Sequence, residues 1–193
     1  MNRRGLLVAI GASALAIPAR ATQRVVPFSA VDARRIDQLL KLIQQRLDMA
    51  PATAEKRWKT MARIEDGASE QSVIDAADAA ARKIGLDADL AAHFTRAQID
   101  AGKIIQTARH REWASNTGTA PLRQSNADLF HASTPEPEMS AALLRALRDA
   151  ARVLRRRGGR RLLDARAADL IHVGGPDLLA GQAALKPLYE IAN

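Results

Sequence analysis

Apolar residues recur at every third or fourth position along most of this chain, the spacing that places them on one face of an α-helix. Ser29 predicts the N-cap of the first helix, because Asp32 stands three residues further on, as in a capping box. Pro51 predicts the start of a second helix, since proline is favoured in a first helical turn. The apolar stripe of the first helix consists of Ile36, Leu39, Leu40, Ile43 and Leu47.

The same spacing predicts further helices after a break at Asp66-Gly67. Residues 114–137 are rich in Ser, Asn, Thr, Gly and Pro, and predict a long connection. Pro187 is expected to disturb the last helix, because proline lacks the N–H that a helix interior needs. The predicted helices are Ser69–Ile84, a long helix from Asp87, Glu138–Arg156, a short helix between residues 159 and 174, and Asp177–Ile191.

The composition agrees with a wholly helical protein. Aromatic residues make up only 3% of the 193 residues, whereas Ala, Leu and Arg, all strong helix formers, are abundant. The β-branched and aromatic residues that favour sheets are scarce. We therefore expect an all-α, single-domain bundle of about six or seven helices.

Residues 1–21 have the layout of a cleavable export signal. Arg3 and Arg4 are followed by the apolar stretch Gly5–Ile17, and Ala19-Arg20-Ala21 has the small-x-small pattern of a cleavage site. The stretch is shorter than the roughly 20 residues of a spanning helix, although an uncleaved anchor or a short buried helix stays open. The sequence predicts a periplasmic or secreted protein with a mature domain over residues 22–193 and no stable membrane insertion after cleavage.

Charge and metal-ligating residues argue against several classes of function. Loss of residues 1–21 would lower the net charge from +8 to +5, an excess too moderate to indicate a nucleic-acid partner. The densest basic run, residues 155–161, has no interleaved aromatic residues, and cations favour helix C-termini, so we expect a solvated helix end. The chain has no cysteine, and no metal-ligand spacing links its four histidines: His93, His110, His131 and His172.

Two arginines and two glutamines occupy unusual places in the pattern. Arg46 and Arg57 each follow an apolar residue of their stripe by three positions, and a cation near a core needs an anionic partner or several hydrogen bonds. Each therefore snorkels to the surface, pairs with an internal carboxylate or binds a ligand. Gln98, Gly102 and Gln106 form a line at four-residue intervals. A glycine inside a helix costs about 1 kcal/mol relative to alanine, and it leaves room for a ligand or a crossing helix, or is merely tolerated.

An ordered set of short motifs covers residues 30–113. They are Gln45-Arg46-Leu47 in the first helix, then Arg57-Trp58, Ile64-Glu65-Asp66, Leu86-Asp87, Gln98-Ile99 and Trp113. In this order and without gaps, they resemble the exported branch of the all-helical chorismate mutase family. Residues 114–193 are similar to that family only in being helical.

The resemblance implies an isomerase of aromatic amino acid biosynthesis that rearranges chorismate to prephenate without a cofactor. Such an enzyme clamps two substrate carboxylates and stabilises negative charge on an ether oxygen. By position, Arg46 matches a carboxylate-binding arginine, and Arg57 falls where the family has a lysine for the carboxylate and ether oxygen. Gln106 matches the Gln or Glu that faces the ether oxygen, and Asp66 and Glu70 match acidic positions around the substrate hydroxyl.

Two substrate-binding positions depart from the family. Its second arginine falls on Ser69, which is also a candidate helix N-cap, and its hydroxyl residue falls on Gly102. Either another cation, such as Arg63 or Lys103, enters the site, or one carboxylate stays poorly neutralised. We expect the second outcome and hence a slow mutase. For the arginine that exported family members contribute from the later half, there are two candidates: Arg145 and Arg148.

Two other functions are compatible with the same residues. One is a non-catalytic exported binding module for a small anionic ligand, which turnover by the purified protein would exclude. The other is a helical interaction protein whose basic run docks on a partner or membrane, which a salt-sensitive pull-down surviving loss of Arg46 would favour. The sequence leaves open whether the protein forms a homodimer.

Overall fold

The computed structural model describes residues 27–116, 118–122 and 137–192. The predicted signal segment, His131 and most of the predicted long connection lie outside these residues. Within them the secondary structure consists of six α-helices and a short 3-10 turn at Gly175–Asp177, without strands, which confirms the all-α prediction. The helices are α1 (Ala30–Thr60), α2 (Gly67–Ile84), α3 (Ala88–Ser115), α4 (Pro137–Leu154), α5 (Gly159–Leu170) and α6 (Leu178–Ile191).

Helix α1 continues through Pro51, so the prediction of a new helix at that residue is wrong. A proline inside a helix removes one hydrogen bond and crowds the preceding turn, at a cost of about 3 kcal/mol. The buried stripe nevertheless runs unbroken on both sides of the proline, through Leu47, Ala50 and Ala54. Burial of this continuous face against the core favours one helix. Pro187 likewise lies inside α6 without ending it.

Side-chain caps define the starts of the first three helices. Ser29 and Asp32 form the predicted capping box, with the N–H of Asp32 3.1 Å from Ser29 Oγ and the N–H of Ser29 2.9 Å from Asp32 Oδ2. Asp87 caps α3, as predicted. Asp66 caps α2 and accepts from the N–H of Ser69 at 3.1 Å, so Ser69 is not the cap. The carboxylate of Asp66 reaches the free N–H groups of the first turn, and α2 begins two residues earlier than predicted.

The packing places α3 at the centre of the N-terminal half. Helix α3 contacts α1 on one side and α2 on another, and it also packs extensively on α6, while α4 and α5 pack against α1. Residues of α1, α2 and α3 can therefore face one common cavity. The largest fully buried side chains include Phe94, Ile36, Leu39, Leu147 and Leu188. Among the helices in the described part of the chain, none has the length and apolarity of a membrane span.

The basic run at residues 155–161 lies at the junction of α4 and α5. Arg156 Nη1 lies 2.7 Å from Asp32 Oδ2, and its guanidinium stacks over the ring of Phe28 at 4.6 Å from the centroid. This contact fixes the chain where it enters α1. The arginines at positions 155, 157, 160 and 161 are exposed, as expected of a solvated helix end.

Candidate active site

A cavity of about 130 Å³ lies between α1, α2, α3 and the connection that joins α1 to α2. Its described lining comes entirely from residues 46–106. The cavity brings together side chains separated by up to 60 positions in the sequence. All seven predicted site residues line it: Arg46, Arg57, Asp66, Ser69, Glu70, Gly102 and Gln106.

Arg46 lines this cavity without a partner among the residues that the structure describes. Within residues 27–116, 118–122 and 137–192, the structure gives its guanidinium no hydrogen bond and no ion pair. Burial lowers its pKa from the ordinary arginine value to about 10, which still leaves the side chain protonated at neutral pH. A desolvated cation without an ion pair is costly, and an anionic ligand would offset that cost.

Arg57 serves the local structure as well as the cavity. Its Nη1 donates to the backbone carbonyl of Arg63 at 2.9 Å and also to the carbonyl of Ile64. These bonds attach the connection after α1 to the last turn of that helix. A guanidinium has five N–H donors. Nε and Nη2 have no partner in the described part of the chain, so they are available to a ligand.

The two acidic residues hold the beginning of α2. Asp66 caps the helix, and its own N–H lies 3.3 Å from Glu70 Oε1. The second oxygen of Glu70 accepts from Lys103 Nζ at 3.1 Å. Both carboxylates line the cavity. The resemblance implies that they bind a substrate hydroxyl, and this role stays a prediction.

Two glutamines on α3 place unpartnered amide oxygens beside the cavity. Gln106 is buried, and its Oε1 has no hydrogen-bond partner in the described structure. Gln98 is buried too, and its Nε2 donates to the carbonyl of Ala184 at 2.9 Å while its Oε1 has no partner. Gly102 lies between them, and a Cβ atom there would stand 3.6 Å from Gln106 Nε2, an ordinary contact. Because unmet buried acceptors are costly, these oxygens favour a ligand with N–H or O–H donors.

Lys103 lines the cavity and was named from sequence only as a substitute cation. Its Nζ lies 3.1 Å from both Glu65 Oε2 and Glu70 Oε2, and 3.4 Å from Asp100 Oδ1. Burial alone would lower its pKa, but the hydrogen bonds with the two glutamates outweigh that effect, and the pKa is raised. The other candidate, Arg63, has an exposed side chain and is not among the lining residues.

The two arginine candidates of the later half do not line the cavity. Arg145 is exposed on α4, and Arg148 Nε lies 2.9 Å from Asp149 Oδ1. Helix α4 buries an apolar face that includes Leu143 and Leu147, which leaves its arginines on other faces. Gln98 also lines the cavity but was not among the predicted site residues. The line that it forms with Gly102 and Gln106 could have indicated that it faces the site.

The lining chemistry suits binding rather than covalent catalysis. Neither a histidine nor a cysteine is among the described lining residues, so no imidazole base stands beside a nucleophile there. Groups of three or more side chains able to hold a metal ion are also lacking from the described residues. Cations and amides converge instead, an arrangement able to bind an anion and stabilise charge on one of its oxygens.

The fold is that of the all-helical chorismate mutases. The crystal structure of chorismate mutase from Burkholderia phymatum matches with a TM-score of 0.69 and 23% identity, over 82% of this chain and 98% of that one. The chorismate mutase from Burkholderia thailandensis matches with a TM-score of 0.67 and 25% identity, over 80% and 98% of the two chains. Neither a family model nor a curated protein sequence matches the chain.

Proposed function

We propose that this protein is a chorismate mutase, an isomerase that rearranges chorismate to prephenate. The shared fold supports this function, as do the residues that line the cavity. One observation carries it above the others. Arg46, a cation without a partner in the described structure, lines the same cavity as the buried Gln106, whose amide group makes no hydrogen bond within the described residues and so has its Nε2 donor available.

The reaction needs few chemical groups from the protein. Within one molecule, an ether C–O bond breaks as a C–C bond forms, so no atom is transferred to or from a side chain. The enzyme gains rate by holding the compact conformer in which the reacting carbons meet. It gains more by stabilising the negative charge that develops on the ether oxygen as the bond breaks.

Each of these cavity-lining groups then has a task. The fork of Arg46 binds one substrate carboxylate, for which paired, charge-assisted hydrogen bonds are well suited. The free Nε and Nη2 of Arg57 bind an oxygen of that same carboxylate and the ether oxygen. Gln106 Nε2 donates a second hydrogen bond to the ether oxygen. The carboxylates of Glu70 and Asp66 accept a hydrogen bond from the substrate hydroxyl at the start of α2.

Turnover by the purified protein tests this proposal. Chorismate depletion is followed by its absorbance for the chain 22–193 and for Arg46→Ala at the same concentration. We expect the wild-type protein to accelerate depletion and the variant to be about 10- to 150-fold slower, the value of one hydrogen bond to a charged group. A wild-type rate equal to the uncatalysed rate would contradict the proposal.

A binding module for a small anionic ligand is the second candidate. The observation in its favour is the pair Ser69 and Gly102, which stand where the family has an arginine and a hydroxyl. Calorimetry with chorismate separates the two functions. Binding without turnover would favour the module, and binding with turnover would favour the enzyme.

We also propose that the enzyme acts in the periplasm or outside the cell. This rests on the pattern of residues 1–21, with Ala19 and Ala21 on either side of Arg20. N-terminal sequencing of exported protein should find a chain that begins near Thr22. Replacing both alanines by leucine should leave the precursor uncleaved. Exported wild-type protein that still begins at Met1 would contradict the proposal.

A further inference from the structure

Ser69 leaves the proposed site short of one positive charge. Chorismate carries two carboxylates, and Arg46 accounts for one of them in the proposed function, on which this inference rests. Ser69 lines the cavity where the family places a second arginine, but its hydroxyl is short and uncharged. A second carboxylate therefore needs another cation close to the start of α2.

Lys103 lies at that place. It projects from α3 into the lining of the same cavity, and its Nζ is 3.1 Å from the carboxylate of Glu70. Glu70 is the residue directly after Ser69 in the sequence and lies in the same first turn of α2. The ammonium group thus lies beside the first turn of α2, in the cavity that Ser69 also lines.

We propose that Lys103 is the second carboxylate-binding cation of this site, and that the substrate carboxylate displaces Glu65 from it. An ammonium has three donors, so Lys103 can keep Glu70 and Asp100 while its third contact changes. Arg46 from α1 and Lys103 from α3 then bind one substrate carboxylate each. Arg57 contacts the carboxylate that Arg46 binds and the ether oxygen, and it also braces the connection before α2.

Glu65 is the partner most easily displaced. Its side chain is 70% exposed, whereas that of Lys103 is 19% exposed and that of Glu70 is 24% exposed. Ion pairs with an exposed partner contribute at most about 1 kcal/mol. Glu70 is also held by the N–H of Asp66, so it stays in place when Glu65 leaves. The raised pKa of Lys103 keeps its charge at neutral pH.

A purely structural role for Lys103 is the alternative, since its ion pairs join α3 to the start of α2. The two roles differ in what the substitution Lys103→Met changes. Methionine keeps an unbranched stem without the charge. We expect Lys103→Met to raise the KM for chorismate, and its Kd in calorimetry, at least tenfold, with a smaller change in kcat. Lys83→Met, at an exposed position of α2, is the matched control and should leave both constants unchanged.

Two further variants separate a binding cation from a structural one. Glu65→Gln frees Lys103 and should lower KM at least twofold, although it removes an ion pair. Ser69→Arg should restore kcat/KM at least tenfold in the Lys103→Met background, yet change it less than threefold in the wild-type background. Glu65→Gln, and Ser69→Arg in the wild-type background, also carry the test if Lys103→Met fails to fold.

The outcomes that overturn the inference are distinct from failure of the proposed function. Unchanged KM and Kd in Lys103→Met overturn it, and so does a tenfold gain from Ser69→Arg in the wild-type background. In both cases the wild-type enzyme still turns over chorismate. A wild type that binds chorismate without turnover refutes the enzyme only, and the Kd values still decide the role of Lys103. A wild type that neither binds nor converts chorismate overturns both.

Discussion

The Nη1 atom of Arg57 lies 2.9 Å from the backbone carbonyl oxygen of Arg63. This hydrogen bond spans six residues and attaches the connection before α2 to the last turn of α1. The same guanidinium lines the cavity, so one side chain both shapes the site and takes part in it. A lysine at this position would carry the charge but lack the planar guanidinium, which reaches the backbone carbonyl and the cavity together.

Arg57→Ala should therefore damage structure and activity together. We expect activity to fall about 10- to 150-fold, because hydrogen bonds to a charged group are lost. The freed connection should also be cut faster by trypsin after Arg63. Arg57→Lys should recover part of the activity, and Lys59→Ala, which removes a surface ion pair with Glu55, should behave as wild type. An unchanged digestion pattern in Arg57→Ala would contradict the bracing role.

Arg46→Met should increase the stability of the fold and abolish activity. The half-buried guanidinium has a lowered pKa and no partner in the described structure, so its removal relieves a desolvation cost of about 1 kcal/mol. The melting temperature should rise by about 2–4 °C while chorismate binding is lost. Arg96→Met, at an exposed position of α3, is the control and should change neither. A variant that melts at a lower temperature than wild type would argue against an unpaired cation.

Gln106→Glu should introduce a pH dependence that the wild type lacks. The wild-type amide does not titrate, so we expect a nearly constant rate between about pH 5 and 8. Burial would raise the pKa of a glutamic acid at this position, and only its protonated form can donate to the ether oxygen. Activity of the variant should fall as the pH rises through that raised pKa. Gln45→Glu, on the exposed part of α1, should keep the wild-type profile, and identical profiles for all three proteins would exclude Gln106 from the ether oxygen.

Gly102→Ser should improve both stability and activity. A Cβ atom at this position meets only ordinary contact, 3.6 Å from Gln106 Nε2, and serine is a better helix former than glycine by about 0.5 kcal/mol. The added hydroxyl should raise kcat/KM about 2- to 12-fold, the value of one neutral hydrogen bond. Gly102→Ala tests the hydroxyl separately, since it should stabilise the helix without improving turnover. Equal activity of the two variants would show that the hydroxyl contributes nothing.

Local sequence patterns predicted most of the secondary structure, and the family resemblance implied the seven proposed site residues. Helix-forming composition and 3.6-residue periodicity are properties of a segment itself, and so are caps such as Ser29 and Asp87. The positions of Arg46 and Gln106 relative to apolar residues likewise indicate which face of a helix carries them. Their arrival at one cavity agrees with the family resemblance, while their roles stay predictions.

Tertiary packing decided what no segment determines alone. Local preference would begin a helix at Pro51, but burial of the stripe on both sides makes α1 continuous. Arg145 and Arg148 had the right charge for the site, yet α4 packs with an apolar face that leaves them outside the cavity lining. Lys103 lies in that lining and Arg63 does not, because the choice depends on how α3 packs against α1 and α2. Periodicity predicts which face of a helix is buried, and only the packing of the helices determines what that face contacts.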